Sequence, residues 1–255
     1  MSIQSTHITQ WLVSSLLALS INADTQSSNR TKEIDRLMTV LHERGQFNGS
    51  IIVAIGGKAV YRKAFGEADF QSHQRFTPTT RSCIASVSKQ FTAMAVMMLA
   101  EENKVNYDDP VTKYIPELPQ YANGITIRHL LTHTSGIPDV DDLGIDDSRL
   151  TNDEVLKTLM SQSSLPSKPG QRYRYSNTGY MLLTLIVERI SGQRYRDFLE
   201  RRILKPLGMA NTLWYDGWPH PLKSAAVGCN QFGKISTGAG GMYRSYAVGA
   251  VGAWM

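Results

Sequence analysis

Ser86-Val87-Ser88-Lys89-Gln90-Phe91-Thr92-Ala93-Met94-Ala95-Val96-Met97-Met98-Leu99-Ala100-Glu101-Glu102 is the stretch that decides the reading of this chain. It holds no glycine or proline and is apolar almost all round, a pattern that predicts a buried helix. Its first four residues are the only S-x-x-K in the sequence. Residues three apart at a helix start share a face, so the Lys89 amine can approach the Ser86 hydroxyl. A serine hydroxyl is a weak nucleophile and needs a base beside it. An amine serves as that base only when neutral, a form that burial and the positive end of a helix dipole both favour. Backbone N–H groups at that end can also face a developing oxyanion. Taken alone, the same four residues are better read as a capping serine and a snorkelling lysine.

A second element lies downstream. Tyr175-Ser176-Asn177 follows the turn residues Pro169-Gly170 and directly precedes a helical pattern. A phenol and an amide two residues apart on an extended loop can point the same way. The phenol can relay a proton, and the amide can hold a substrate carbonyl or the lysine. Tyr121-Ala122-Asn123-Gly124 has similar spacing but fits a plain turn before Thr126.

Around these two motifs the chain is organised as strands first, then helices. Ile34, Leu37, Met38 and Leu41 recur at helical spacing within Thr31–Arg44, and Gly45 can end that helix. Ser50–Ile55 and Ala59–Phe65 flank Gly56-Gly57 and predict a β-hairpin. Short helices are expected over Thr126–Thr132, after the capping residues Thr151 to Glu154, over Thr178–Ile190 and over Arg194–Leu204.

With these pieces in place, the sequence resembles the family of class C β-lactamases, D-Ala-D-Ala carboxypeptidases and related esterases. The matching stretches are the Ser86–Lys89 helix start, Asp108-Asp109-Pro110-Val111, Ile125 through Gly136, and Pro169-Gly170 through Tyr180. Lys205-Pro206-Leu207-Gly208-Met209 and Gly240-Gly241 continue the match in family order. The resemblance implies an α+β fold of the β-lactamase/transpeptidase type, an antiparallel sheet packed with a helical region. It implies Ser86 as the acylated nucleophile, Lys89 as the base, Tyr175 as the proton relay and Asn177 as a substrate-positioning residue. The implied substrates are a β-lactam, a peptide ending in a D-amino acid, or a small ester, with no cofactor and no metal. The family's third motif, Lys- or His-x-Gly, lies on a strand well beyond the Gly-Gly segment, and no substitute for it is found. The C-terminal strands are therefore expected to be missing, and two readings stay open: a working serine hydrolase, and a catalytically impaired or non-catalytic binding remnant.

The bulk numbers agree with an ordinary globular protein. The chain has 255 residues, 42% hydrophobic and 19% charged, with a net charge of +5 and no long basic run, which gives nucleic-acid binding no support. Cys83 and Cys229 have no C-x-x-C spacing and are read as two buried thiols. Trp11–Ile21 is too short to span a membrane and suits the core of an export signal. Residues 1–23 are therefore expected to be a signal peptide and 24–255 one domain, periplasmic or secreted. His129 and His133, read as an i, i+4 pair on a helix, lack the glutamate of a zinc-protease motif and are assigned packing roles. Gly228–Lys234 nearly matches a phosphate loop, but Ile235 stands where a hydroxyl should hold Mg²⁺, so that reading is rejected.

Overall fold

In the computed structural model, the residues described are 29–145, 151–214 and 225–227, with the backbone of 253–254. The expectations placed on residues 1–23, Cys229, the 228–235 loop and Gly240-Gly241 lie outside them. The described residues divide into two units, one reaching to Thr80 with Ala226 and Val227, the other running from Arg81 to Ala225 with Ala253–Trp254.

The first unit opens with helix α1, described over residues 29–43 and followed by Gly45 at φ +69. Strands β1 (Gly49–Ile55) and β2 (Lys58–Phe65) form the expected antiparallel hairpin, paired from Gly49 opposite Phe65 to Ile55 opposite Lys58. Gly56 and Gly57 sit at φ +57 and +76, which a two-residue turn with the strands' own twist requires. Tyr61 and Lys63 on β2 both donate to Asp35 on α1, at 2.8 and 2.6 Å, fixing helix to hairpin. Burial and the neighbouring carboxylate push the Tyr61 phenol up to about 12. Two short strands, β3 (Glu67–Asp69) and β4 (Gln74–Arg75), follow.

The second unit is mainly helical. A 3-10 turn, Ala85–Ser88, leads into α2 (Lys89–Glu101). The expectation of a helix buried all round is corrected. Lys89, Phe91, Thr92, Ala95, Val96 and Leu99 form a buried stripe, while Met94 and Met97 are 45% and 51% exposed. The exposed side runs Gln90, Met94, Met97 and Glu101, so polarity marks its two ends but not its middle.

Helix α3 (Ile127–Leu131) is capped by Thr126, and α4 (Asn152–Met160) by Thr151, whose hydroxyl accepts from Glu154 N–H at 3.1 Å. Helix α5 (Asn177–Ser191) is the centre of the unit and packs against α2, α3, α4 and α6 (Tyr195–Leu199). Its Ser176 cap accepts from Gly179 N–H at 3.0 Å, and Gly192 at φ +65 ends it. The helix expected over Arg194–Leu204 is α6 continued by a wider π turn, Glu200–Leu204. Phe198, Leu99, Leu159 and Leu183 are among the fully buried side chains. Strand β5 (Leu213–Trp214) pairs antiparallel with β6 (Ala253–Trp254). Helix and sheet together give the expected α+β content. Among the described residues, no helix is long and apolar enough to cross a membrane.

Candidate active site

Ser86 sits on the Ala85–Ser88 turn, and the residue before it, Ala85, is held at φ +44. A left-handed alanine costs on the order of 1–3 kcal/mol and persists only where its surroundings impose it. The next turn of chain brings Lys89 round beneath the serine, with Nζ 3.2 Å from Ser86 Oγ. Lys89 is 6% exposed, so its ammonium or amine is enclosed by protein while Ser86 remains partly open.

The second motif arrives from the start of α5. Tyr175 donates its phenolic hydrogen to Ser86 Oγ at 2.6 Å. Asn177, the first residue of α5, accepts from Lys89 Nζ through Oδ1 at 2.9 Å. The four residues singled out from the sequence thus form one continuous hydrogen-bonded group. Lys89 Nζ also lies 5.0 and 5.5 Å from the ring centroids of Tyr175 and Tyr180, within cation–π range.

Asp139, which the sequence had not suggested, completes the group. Its carboxylate accepts from the Asn177 backbone N–H and, at 3.3 Å, from Asn177 Nδ2. It lies at the N-terminus of α5, where a helix favours negative charge. The only signal in the sequence was a carboxylate placed just after Ser135-Gly136-Ile137-Pro138, 38 residues from its partner.

His133 proves to be a packing residue, but off the helix. Helix α3 stops at Leu131, and His133 takes φ +56 beyond it, so the i, i+4 geometry read from the sequence is corrected. Its Nδ1 accepts from Ser176 N–H at 3.1 Å, and its ring stacks on Tyr175 and Tyr180 at centroid distances of 4.5 and 5.1 Å. Burial and the nearby Lys89 charge push its pKa below the ordinary value. A neutral ring suits the acceptor role of Nδ1, which a protonated imidazole loses. His129 caps its own helix, its Nδ1 accepting from Thr126 N–H at 3.2 Å. No group of side chains suited to a metal ion occurs among the described residues. Cys83 is exposed rather than buried.

Residues 34–247 match the Beta-lactamase family model, so the chain belongs to that family. It is 36% identical over 193 residues to penicillin-binding protein 4* of Bacillus subtilis, a match covering 74% of this chain and 42% of that protein. A solved class C β-lactamase in complex with cefoxitin matches at a TM-score of 0.75 with 25% identity, over 90% of this chain and 63% of that one. EstCE1, described as a hydrolase with promiscuous acyltransferase activity, matches at a TM-score of 0.71 with 25% identity, over 91% and 70%. The match to penicillin-binding protein 4* thus spans about two fifths of that relative's length.

Proposed function

We propose that this chain carries the nucleophilic half of a serine acyl-transfer site acting on a β-lactam, a peptide ending in a D-amino acid, or a small ester. The observation that carries it is the convergence on Ser86 Oγ of Lys89 Nζ at 3.2 Å and Tyr175 Oη at 2.6 Å. A hydroxyl held by one amine and one phenol has a base for its own proton and a relay for the leaving group.

In the proposed reaction, Ser86 Oγ attacks the substrate carbonyl carbon and its proton passes to Lys89 Nζ, the general base of this reading. The tetrahedral oxyanion faces the Ser86 backbone N–H. Collapse of the intermediate breaks the C–N bond of a lactam or peptide, or the C–O bond of an ester. Tyr175 passes the proton to the departing nitrogen or oxygen. Water then cleaves the Ser86 ester and restores the hydroxyl. Asn177 holds Lys89 in place and orients the substrate beside it. The same reading takes residues 1–23 as an export signal and 24–255 as one domain working in the periplasm or outside the cell. The mass of the mature N-terminus checks that part.

A fluorescent penicillin and a fluorophosphonate test the site directly. Labelling of the purified chain that Ser86→Ala abolishes supports the reaction. Absence of labelling by either reagent favours a non-catalytic binding protein.

A further inference from the structure

We infer that Asp139 is a positioning residue for the reactive group, setting which end of the Asn177 amide faces Lys89. This inference rests on the acyl-transfer reading of Ser86 and Lys89. An asparagine amide has an acceptor end and a donor end of nearly equal size. In this site the two ends meet opposite partners. Oδ1 faces Lys89 Nζ at 2.9 Å, and Nδ2 faces Asp139 Oδ1 at 3.3 Å. Turned by half a revolution, the amide would set its N–H groups against the lysine and its carbonyl against a carboxylate. The carbonyl would then oppose the Asp139 carboxylate and Lys89 Nζ would lose its acceptor, in a place where Asn177 is 4% exposed.

Asp139 is itself fixed from two sides. Its second carboxylate oxygen takes the Asn177 backbone N–H, so the clamp grips both the main chain and the side chain of one residue. Its own N–H donates to Asp142 Oδ2 at 2.9 Å, and the same oxygen accepts from Arg174 Nη2 at 2.7 Å. Arg174 directly precedes Tyr175. The Val140–Asp142 turn therefore holds both arms of the site, the amide through Asp139 and the approach to the phenol through Arg174. Asp139 touches no substrate; it acts through Asn177.

Asp139→Asn is the test variant. Its remaining carbonyl can still accept the Asn177 backbone N–H, while its new NH₂ opposes Asn177 Nδ2. Donor against donor turns the Asn177 amide and presents N–H groups to Lys89. The second-order rate of Ser86 labelling by a fluorophosphonate is expected to fall about tenfold to hundredfold, the loss typical of one charged hydrogen bond. In an Asn177→Ala background, Asp139→Asn is expected to change that rate by less than about threefold, because the amide it acts through is gone. A purely structural Asp139 would slow labelling equally in both backgrounds, and that result overturns the inference. Asp139→Ser, which keeps one acceptor, is the alternative should Asp139→Asn not fold. The ¹⁵N–¹H resonances of the Asn177 side-chain NH₂, assigned by their loss in Asn177→Asp, give a readout that needs no labelling. Wild-type chain that no reagent labels defeats the acyl-transfer reading, and these resonances then decide the clamp alone. They must move in Asp139→Asn; if they stay in place, Asp139 does not set the amide.

Discussion

Gly136 and Gly192 have nearly the same backbone conformation, at φ +74 and +65, and very different surroundings. A β-carbon on Gly192 would meet nothing within 4 Å. One on Gly136 would lie 2.1 Å from the Ser167 carbonyl oxygen and 3.0 Å from its carbon. Alanine at either position bears the left-handed penalty of about 1–2 kcal/mol. At Gly136 the Ser167 backbone must also retreat to the 3.4 Å of ordinary contact. That backbone is tied nearby, since Gly170 N–H donates to Thr134 O and Arg174 N–H to His133 O, each at 2.8 Å. Moving it strains or breaks such a bond, at about 1 kcal/mol, and overpacks the contact by about 1–3 kcal/mol. Gly136→Ala should therefore lose about 3–6 kcal/mol of stability in urea unfolding followed by far-UV circular dichroism, against about 1–2 for Gly192→Ala. Gly136→Ala should also slow Ser86 labelling, because Asp139 and His133 lie three residues to either side of it. Equal losses in the two variants would refute the argument, since only the contact with Ser167 separates them.

Three further outcomes are expected. Tyr175→Phe removes the phenolic donor to Ser86 but little packing, because the side chain is 41% exposed. Labelling should slow by about 10²–10⁴ with the thermal midpoint unchanged, and an unchanged rate would take the phenol out of the proton path. His133 is held below its ordinary value of 6.5, so the unfolded chain takes up this proton more readily than the folded one. Its contribution to stability is thus complete above pH 6.5 and lost as pH falls from there to the folded-state value. The slope of urea midpoint against pH in that window should flatten in His133→Gln, and an identical slope would exclude His133 as its source. Phe198→Ala should cost about 3–5 kcal/mol, as the ring is fully buried, whereas Met97→Ala should change stability by less than about 0.5 kcal/mol.

The local elements were legible because local chemistry dictates them. Gly56-Gly57 between two apolar runs admits little but a hairpin turn, and Thr126, Thr151 and Ser176 each cap the helix they precede. Ser86, Lys89, Tyr175 and Asn177 were legible through motif order, and the structure brings them together. What escaped had no local signature. Asp139 reaches Asn177 across 38 positions, and nothing in its neighbours announces that contact. His133 leaves its helix through a left-handed residue that needs no glycine, so its periodicity continued past the true end of α3. The middle of the exposed side of α2, Met94 and Met97, was hidden because methionine tolerates both core and surface.

The stacking of His133 against Tyr175 and Tyr180, with Tyr173 edge-on at 5.9 Å, has a magnetic consequence. Circulating electrons in aromatic rings shift the resonances of nearby hydrogens, and this imidazole sits beside two tyrosine rings at tilts of 30° and 31°. The carbon-bound hydrogens of one histidine therefore carry chemical shifts displaced from those of a free ring, by an amount set by where Tyr175 stands. If an acyl group on Ser86 displaces that phenol, as the proposed reaction implies, the displacement changes, and the histidine resonances report acylation with no dye attached.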